Sequence, residues 1–498
     1  MSFFLKAKRF DFSTGDVPVA VLNEEDAKSF GIRPGDRIEL KWKNKTAILN
    51  VDTTQKMVKS GVIGLFEEAV HLTKIRNGQV VYFEIFDPPT SIKAIKKKLK
   101  GQSLSYHETY SIIRDLIKGR ISDQELAFYV ASSFTHEMKN QELYNLTKAM
   151  VDTGKQLNFK GRLVADKHCV GGLPGNRTTM IIVPILASLD VDIPKTSSRA
   201  ITSPAGTADT MEILAPVEFN LKQIKKIVNK YNGCIVWGGA TFIAPADDII
   251  VRLTKKISLE PLSKMIVSVM AKKVAMGIDY LLIDIPYGRT AKIKSLKQAK
   301  KVARKFKWLG RKFGIKIVFT ILSAKEPIGN GIGPALEARD VIRVLQRKDK
   351  RPLDLENKAL HLSGKLLELC GRAKKNKGET LAKNALKTGR AWRKMKEIIK
   401  AQGGNPNIDS EDITVGASRA RIFAKKAGKI TFVNNRAIDE VARSLGAPHD
   451  KLAGIRLHKK LNQKVEKKDK LMTLYGRNKA RLTLGKKALK RVDIFSIK

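Results

Sequence analysis

The chain has 498 residues, an apolar fraction of 43% and a formal net charge of +47 at pH 7. This length allows several domains, and the apolar content predicts a folded rather than a disordered protein. The three cysteines are far apart and lack metal-ligand spacing, which argues against a disulfide framework or a zinc site. No run reaches the roughly 18 apolar residues of a membrane span, and the N-terminus lacks a signal-peptide core. We therefore expect a cytoplasmic protein without a membrane segment, a metal or an organic cofactor.

The positive charge attracts phosphates, nucleotides and nucleic acid. Lysines are spread along the whole chain, only 6% of residues are aromatic, and no nucleic-acid-binding module is recognisable. One explanation of the high charge is a general bias towards lysine, in a cell whose salt and polyanions screen the protein surface. The other explanation is a nucleic-acid partner. The even spread favours the first explanation, with non-specific nucleic-acid binding expected at low salt.

Residues 1–86 alternate short predicted strands with turns. Strands are expected at 17–22, 38–42, 46–51 and 79–85, with a brief helix after the first. The second and third of these strands read as a hairpin with alternating faces. Together they predict a small β-barrel-like domain, whose lack of a catalytic constellation indicates a scaffold or assembly role.

Residues 90–160 follow the stiff break at Asp87-Pro-Pro89 and are predicted to be a helical domain. Apolar residues recur at helical spacing over 105–118, 123–134 and 140–153. We therefore expect three amphipathic helices here.

Residues 161–346 alternate predicted strands and helices, which is typical of an α/β domain with a mostly parallel sheet. A lysine-rich helical connection is expected over 347–400, and a last α/β domain of short strands over 401–498. Within the central domain, the glycines at 329–333 are similar to a dinucleotide fingerprint. The third glycine of that fingerprint is missing, so a loop at the edge of the sheet is predicted rather than a cofactor site.

A glycine-rich stretch at 166–179 lies between a predicted strand at 162–165 and an apolar helix at 180–189. Glycines let backbone amides approach an anion, and the following helix adds the positive end of its dipole. Lys167, Arg177 and Thr178 supply further charge and donors. The stretch indicates a phosphate-binding loop, although by itself it is also compatible with an ordinary strand-to-helix turn.

A second polar loop, 199–207, follows a predicted strand at 193–198. It is rich in hydroxyls and is followed by a helix start at which Asp209 and Glu212 have capping-box spacing, with Thr207 as a competing N-cap. Loops that follow successive parallel strands open on the same carboxyl edge of a sheet, where such sheets bind ligands. Two neighbouring anion pockets are therefore predicted.

The residues at 195–212, together with those at 166–179, resemble the signatures of the thymidine/pyrimidine-nucleoside phosphorylase family. Where thymidine phosphorylases carry glycines and a histidine, this chain has Ile201-Thr-Ser-Pro-Ala205. That departure resembles the branch of the family that acts on nucleoside 5'-monophosphates. The resemblance extends over nearly the whole chain, including an N-terminal domain that the nucleoside enzymes lack.

The resemblance implies a glycosyltransferase that uses inorganic phosphate to displace the base from AMP, and also from CMP and UMP. The products would be the free base and ribose 1,5-bisphosphate, in nucleotide salvage or degradation. A nucleotide substrate together with inorganic phosphate requires two phosphate pockets, which the two polar loops could provide. The resemblance also implies a homo-oligomer, at least a dimer.

Position by position, the resemblance implies a set of ligand contacts. The substrate-binding residues are Gly172, Ser198, Arg199, Ala200, Ile201, Thr202, Ser203, Thr207, Ser268 and Lys292. Lys167 and Thr178 align with phosphate-binding positions. His168 has partial support as a ligand contact, and Arg289 stands where a small residue or proline is usual, so it could crowd or supplement the phosphate site.

The family's proton donor is an aspartate in a Ser-Leu-Asp-Pro context, and this chain has Ser258-Leu-Glu-Pro261 instead. The resemblance therefore makes Glu260 the catalytic acid, with a side chain one methylene longer than aspartate. The alternative is a structural acid in the first turn of a helix predicted at 258–276, favoured by the helix dipole.

Two other functions stay open. One is a pyrimidine-nucleoside (thymidine) phosphorylase, which would turn over unphosphorylated nucleosides faster than nucleotides. The other is an inactive relative that associates with nucleic acid. The high positive charge favours nucleic-acid binding, and glutamate in place of aspartate at position 260 is compatible with lost activity.

Overall fold

The computed structural model describes residues 3–15, 17–200, 203–257, 259 and 261–498. The chain divides into two compact units, one formed by Met1–Met138 with Ile249–Leu259 and the other by Lys139–Asp248 with Glu260–Lys498. None of the helices within these described ranges is long and apolar enough to cross a membrane.

The first unit opens with a closed six-stranded barrel. Its elements are β1 (Phe3–Arg9), β2 (Val19–Asn23), α1 (Glu24–Phe30), β3 (Arg37–Trp42), β4 (Lys45–Thr54), β5 (Val62–Leu65), α2 (Glu67–Thr73) and β6 (Val80–Ile85). The strands are hydrogen-bonded in the order β1-β5-β2-β4-β3-β6, and β6 pairs back to β1. Alternate residues of β3, namely Ile38, Leu40 and Trp42, are buried inside. This period of two confirms the predicted β-barrel.

Helices follow the barrel, as the apolar periodicity predicts. They are α3 (Ser91–Leu99), α4 (Tyr106–Ile117), α5 (Asp123–Thr135) and α6 (Asn140–Asp152). Capping boxes start α4, with Ser105 and Glu108, and α5, with Ser122 and Glu125. The fourth helix belongs to the second unit, where it packs against two later helices.

The second unit contains a parallel sheet with helices between its strands. The elements are β7 (Ala165–Cys169), α7 (Thr179–Ala187), β8 (Ile193–Ser197), α8 (Thr207–Met211), α9 (Leu221–Tyr231), β9 (Gly233–Trp237), the start of α10 (Pro245–Lys256), α11 (Leu262–Ala275), β10 (Tyr280–Tyr287), α12 (Leu296–Lys312) and β11 (Lys316–Ser323). From Ile249 onward α10 belongs to the first unit. The strands β11, β10 and β7 pair in parallel, as do β8 and β9. A single parallel bridge between Val164 and Asp192 joins the two groups. The mostly parallel α/β sheet is thereby confirmed.

The strand before the glycine-rich stretch does not end at Ala165 as predicted. It starts there and continues to Cys169, because Asp166, Lys167 and His168 pair with the buried strand β10. The charges of Asp166 and Lys167 do not prevent strand formation, since Asp166 pairs with Lys195 and Lys273, and Lys167 lies near Asp284.

The helix predicted at 258–276 is also shorter. Its first residue is Leu262, and Pro261 occupies the N-cap in an extended conformation. A proline disfavours helical geometry in the residue before it, so the helix starts only after Pro261.

The rest of the second unit combines helices with two small antiparallel sheets. Its elements are β12 (Gly331–Ile332), α13 (Pro334–Leu345), α14 (Leu353–Leu369), α15 (Gly378–Lys387), α16 (Arg390–Ala401), β13 (Ser418–Phe423), β14 (Gly428–Val433), α17 (Asn435–Ser444), β15 (Gly454–Leu457), β16 (Lys464–Val465), β17 (Lys470–Gly476), α18 (Lys479–Arg491) and β18 (Phe495–Ile497). The sheet orders are β12-β15-β17-β13 and β16-β14-β18.

The glycines at 329–333 are not only a loop, because β12 pairs with β15. A Cβ on Gly333 would lie 2.4 Å from the carbonyl oxygen of Ala453. These glycines therefore serve close backbone packing.

An extensive core surrounds α7, all nine residues of which are buried. This helix contacts α13, α14, α15 and α16 on one side and the strands β8 and β9 on the other. The packed helix fixes the position of the loop that leads into it, and that loop is the predicted phosphate-binding stretch.

Candidate functional site

Two polar loops lie together at the carboxyl edge of the parallel sheet. The glycine loop, residues 170–178, follows β7, and the hydroxyl loop, residues 198–206, follows β8. Beneath them the ammonium group of Lys195 donates to the carbonyl oxygen of Lys167 at 2.9 Å. The predicted adjacency of the two loops is therefore present in the structure.

The glycine loop has a backbone that only glycine adopts readily. Gly172 and Gly175 have φ values of 51° and 70°. A Cβ on Gly175 would lie 2.1 Å from the carbonyl oxygen of Ile328, inside van der Waals contact. Both the left-handed conformation and this close approach explain the glycine at 175.

Lys167 and Thr178 are brought together by strand and helix. The Nζ of Lys167 donates to Thr178 Oγ1 at 3.0 Å and lies 3.8 Å from Asp284 Oδ2. Burial lowers the pKa of Lys167, whose side chain is only 1% exposed. An anion placed beside this ammonium group would offset that cost of burial, which suits the predicted phosphate-binding role.

Arg177 connects the two loops instead of projecting from one. Its guanidinium pairs with the buried Glu337 at the start of α13 and also donates to the carbonyl oxygen of Ala205 and, at 3.3 Å, to Thr207 Oγ1. Burial raises the pKa of Glu337 despite this pairing. The arginine therefore positions the loops, with much of its charge neutralised.

Arg199 is also held by carboxylates. It donates to both oxygens of Glu212, at 2.6 and 2.8 Å, and to Glu218 at 3.0 Å. Its guanidinium lies 4.8 Å from the ring centre of Trp237. The hydrogen bonds to Glu212 raise the pKa of Arg199, and Arg199 and Lys451 lower the pKa of Glu212 to about 2.

Asp209 closes the hydroxyl loop. One of its oxygens accepts from the backbone N–H groups of Ala200, at 2.7 Å, and Gly206, at 2.8 Å. Gly206 is the N-cap of α8, so the predicted cap at Thr207 lies one residue too late. The side chain of Ser203 donates to Ala205 at 2.8 Å.

Other predicted ligand positions lie around this edge. Gly172 and Ser198 are exposed on their loops, whereas Ala200, Thr207 and Lys292 are half-buried. The sequence-based positions outside the described residues are Ile201, Thr202, Ser258 and Glu260.

Ser268 of α11 lies in a polar cluster with Asp247 and Lys272, all within the second unit. Its hydroxyl donates to Asp247 Oδ2 at 2.7 Å, and Lys272 Nζ lies 2.7 Å from the same oxygen. Burial, and then the charge of Lys273 and other lysines including Lys272, lowers the pKa of His168. His168 is therefore a neutral ring near the end of β7, and the lysines of α11 are close enough to lower its pKa.

A set of buried charges beneath the loops was missed by the sequence analysis. Asp166 lies 3.2 Å from Lys195 and 2.5 Å from Lys273, and Asp284 lies 3.0 Å from Lys358. Asp284, a charged residue inside the otherwise apolar strand β10, was the available signal, because such residues are rarely buried without partners.

Arg289 does not crowd the glycine loop. It is exposed, and its guanidinium lies 5.0 Å from the ring centre of Phe432 on β14. Within the described ranges, no three His, Cys, Asp or Glu side chains gather as metal ligands would.

Models of three protein domains match the chain. Residues 92–154 match the helical bundle domain of the glycosyl transferase family, 161–392 match the a/b domain of that family, and 429–494 match the pyrimidine nucleoside phosphorylase C-terminal domain. The fold and the matches define a glycosyltransferase class.

Curated relatives narrow this class. AMP phosphorylase from Pyrococcus furiosus is 40% identical over 96% of this chain and 94% of its own length. AMP phosphorylase from Thermofilum pendens is 40% identical over 96% of this chain and 92% of its own length. AMP phosphorylase from Methanococcus maripaludis is 41% identical over 98% of this chain and 96% of its own length. The chain therefore belongs to the AMP phosphorylase family.

A solved structure supports the fold alone. Anthranilate phosphoribosyltransferase from Thermus thermophilus aligns with a TM-score of 0.52 at 18% identity, covering 62% of this chain and 99% of that one.

Proposed function

We propose that the protein is a phosphorylase of nucleoside 5'-monophosphates. The observation that carries the proposal is the pairing of Lys167 with Thr178 at the glycine loop, beside a hydroxyl loop on the same sheet edge. Relatives named AMP phosphorylase match along almost the whole chain and support AMP as a substrate. CMP and UMP are further substrates, and the role is nucleotide salvage or degradation.

In this reaction an oxygen of inorganic phosphate forms a bond to C1' of the ribose while the bond from C1' to the base nitrogen breaks. The bonding electrons leave with the base, which takes a proton from the carboxyl group of Glu260. The products are the free base and ribose 1,5-bisphosphate. Lys167 and Thr178 hold the attacking phosphate, and holding it in line with C1' supplies much of the rate acceleration.

The cellular setting is also part of the proposal. Cys169, Cys234 and Cys370 are all free, which supports a reducing cytoplasm. The working form is a homo-oligomer of at least two copies, as the resemblance to the phosphorylase family implies.

The test is release of base, followed by chromatography, from AMP, CMP, UMP, adenosine, uridine and thymidine, with and without phosphate. We expect phosphate-dependent release that is faster from the nucleotides. Glu260→Gln should lower turnover about 10²- to 10⁴-fold with little change in KM for AMP, because proton transfer is lost while binding groups stay. Glu397→Gln, at an exposed position of α16, is the control.

Faster turnover of nucleosides would identify a pyrimidine-nucleoside phosphorylase instead. No release from any compound, together with salt-sensitive RNA binding, would indicate the inactive relative. An unchanged rate in Glu260→Gln would leave that residue with a structural role.

A further inference from the structure

A carboxylate lies next to the ammonium group that is proposed to hold the attacking phosphate. Asp284 is on strand β10, opposite Cys169 of β7, and is fully buried. Its Oδ2 lies 3.8 Å from the Nζ of Lys167. A carboxylate and an inorganic phosphate ion compete for the same ammonium group, because both are anions that accept its N–H groups. Lys167 therefore binds phosphate well only if another cation holds Asp284.

Lys358 of α14 is such a cation. Its Nζ lies 3.0 Å from the same Oδ2 of Asp284, and its side chain is 8% exposed. At 3.0 Å this ion pair is a direct contact, whereas the 3.8 Å from Lys167 is longer than a hydrogen bond. Lys167 instead donates to Thr178 Oγ1 at 3.0 Å, at the end of the glycine loop. The two lysines therefore have different direct partners, although both face one carboxylate.

The position of Lys358 on its helix explains why the side chain reaches the interior. Leu355 and Leu362, three residues before it and four after it, are buried, so the three residues share one side of α14. This helix packs against β10 and β11. A lysine on such a side loses its water, and a buried charge needs a partner that offsets this cost. Burial opposes the ionised form of Asp284, yet the charge of Lys358, followed by that of Lys167, keeps the pKa of Asp284 below its usual value.

Three buried carboxylates beneath the two polar loops each have a cation of their own. The pairs are Asp166 with Lys195 and Lys273, Asp284 with Lys358, and Glu337 with Arg177. Within this described cluster, Lys167 is the cation that has no carboxylate in direct contact. Burial lowers the pKa of Lys167, and the charges of Lys358 and Arg177 lower it further. An anion bound at Lys167 would offset this excess of positive charge.

We propose that Lys358 is a positioning residue that holds Asp284 and thereby leaves the ammonium group of Lys167 available to inorganic phosphate. Lys358 acts through Asp284 rather than on the phosphate itself. The inference rests on the proposed phosphorolysis of nucleotides, and it adds a residue of α14 to the groups that control phosphate binding.

The first experiment compares Lys358→Met with the wild-type protein. Without Lys358, the ammonium group of Lys167 is the nearest cation to Asp284 and should move onto it. KM for inorganic phosphate should rise about 10- to 100-fold, the usual effect of losing a hydrogen bond to a charged group. The kcat at saturating phosphate and KM for AMP should stay near the wild-type values. Lys365→Met is the matched control, since it removes the other lysine of α14, which forms no ion pair in the described part of the chain.

The double variant Lys358→Met with Asp284→Asn tests the mechanism. It removes the competing carboxylate together with its partner, so KM for inorganic phosphate should return close to the wild-type value. Lys358→Arg keeps the cation and should also keep KM low. A loss of packing in Lys358→Met would not be reversed by a second substitution in the core.

Phosphate binding is also measured without turnover, by calorimetry with inorganic phosphate alone. The wild type, Lys358→Arg and the double variant should bind phosphate with similar affinity, and Lys358→Met about 10- to 100-fold more weakly. Thermal unfolding followed by circular dichroism shows whether each variant is folded. If Lys358→Met does not fold, the double variant decides, because it contains no unpaired carboxylate at position 284.

The outcomes separate this inference from the proposed function. An unchanged KM for phosphate in Lys358→Met overturns the inference, and so does a double variant that binds phosphate about 10-fold or more weakly than the wild type. If the wild type releases base from no nucleotide, phosphorolysis fails. Loss of phosphate binding in Lys358→Met and its return in the double variant would then still support the role of Lys358.

Discussion

Buried charges beneath the two loops affect one another's protonation. Asp166 lies between Lys195 and Lys273, and although burial opposes it, these two ammonium groups keep the pKa of Asp166 below its usual value. Burial lowers the pKa of Lys195 to about 7, with Lys273 as a further cause. One carboxylate is therefore shared by two lysines, of which one loses its proton near neutrality.

This arrangement predicts a dependence of stability on pH. Between about pH 7 and the unfolded lysine pKa of about 10.4, the unfolded chain binds one more proton than the folded chain. The stability of the wild type relative to Lys195→Met should therefore rise with pH in this window, by up to about 1.4 kcal/mol per pH unit. Denaturant midpoints at pH 7, 8 and 9 measure the difference.

Lys297→Met is the control, since Lys297 is exposed on α12 and its removal should have an effect that is independent of pH. A difference between wild type and Lys195→Met that stays constant from pH 7 to 9 would contradict the assignment of a lowered pKa to Lys195.

At the scale of elements, the site depends on a link between two loops and a helix. Arg177 joins the glycine loop to the hydroxyl loop and to Glu337 of α13, three segments that are up to 160 positions apart. The charge pair is buried, so its net contribution to stability is small while the cost of breaking it is large. Its role is to fix the relative position of the two loops.

Arg177→Met should lower the free energy of unfolding by about 3–5 kcal/mol, because Glu337 is left buried without its partner. The loss should become smaller as the pH falls from 8 to 5, since Glu337, whose pKa is already raised, then takes up a proton. Denaturant unfolding measures both effects, and KM for phosphate should rise as the loops separate.

The double substitution Arg177→Met with Glu337→Gln is the matched control. Removing both charges should restore most of the free energy of unfolding, whereas KM for phosphate should stay raised. If the double variant were no more stable than Arg177→Met, the loss would come from packing rather than from the unpaired carboxylate.

At the scale of the whole molecule, the charge of +47 is spread over many surfaces. The helix α12 carries eight lysines or arginines and no acidic residue, and α18 carries six and none. Because both helices are strongly basic, the positive charge is not concentrated on one of them. The distribution is that of a general positive potential that salt screens.

We expect single-stranded DNA to bind weakly at low salt and to be released as salt is raised, since binding releases counterions. Two variants test where it binds, one with Lys300, Arg304, Lys307 and Arg311 changed to glutamine, the other with Lys486, Lys487, Lys490 and Arg491 changed likewise. All eight side chains are exposed. Both variants should lose affinity to the same extent, as measured by fluorescence anisotropy at several salt concentrations. A much larger loss in one variant would indicate a dedicated nucleic-acid surface.

The sequence by itself determined the elements and the chemistry of the two polar loops. Strand alternation in β3, the capping boxes of α4 and α5, and the glycines at 172 and 175 are local signals, since each is set by a few neighbouring residues. The family motifs also indicated the class of reaction. The role of Glu260 stays a prediction, because that residue lies outside the described part of the chain.

Only the tertiary structure decided which charges are neutralised and which remain available. Arg177 and Arg199 look alike in the sequence as phosphate ligands, yet carboxylates at 337, 212 and 218 hold them. The docking of Asn435 on Thr290 joins residues 145 positions apart. Electrostatic and hydrogen-bond partners are chosen by distance in space, which no local pattern encodes, so these pairings could be found only in the folded chain.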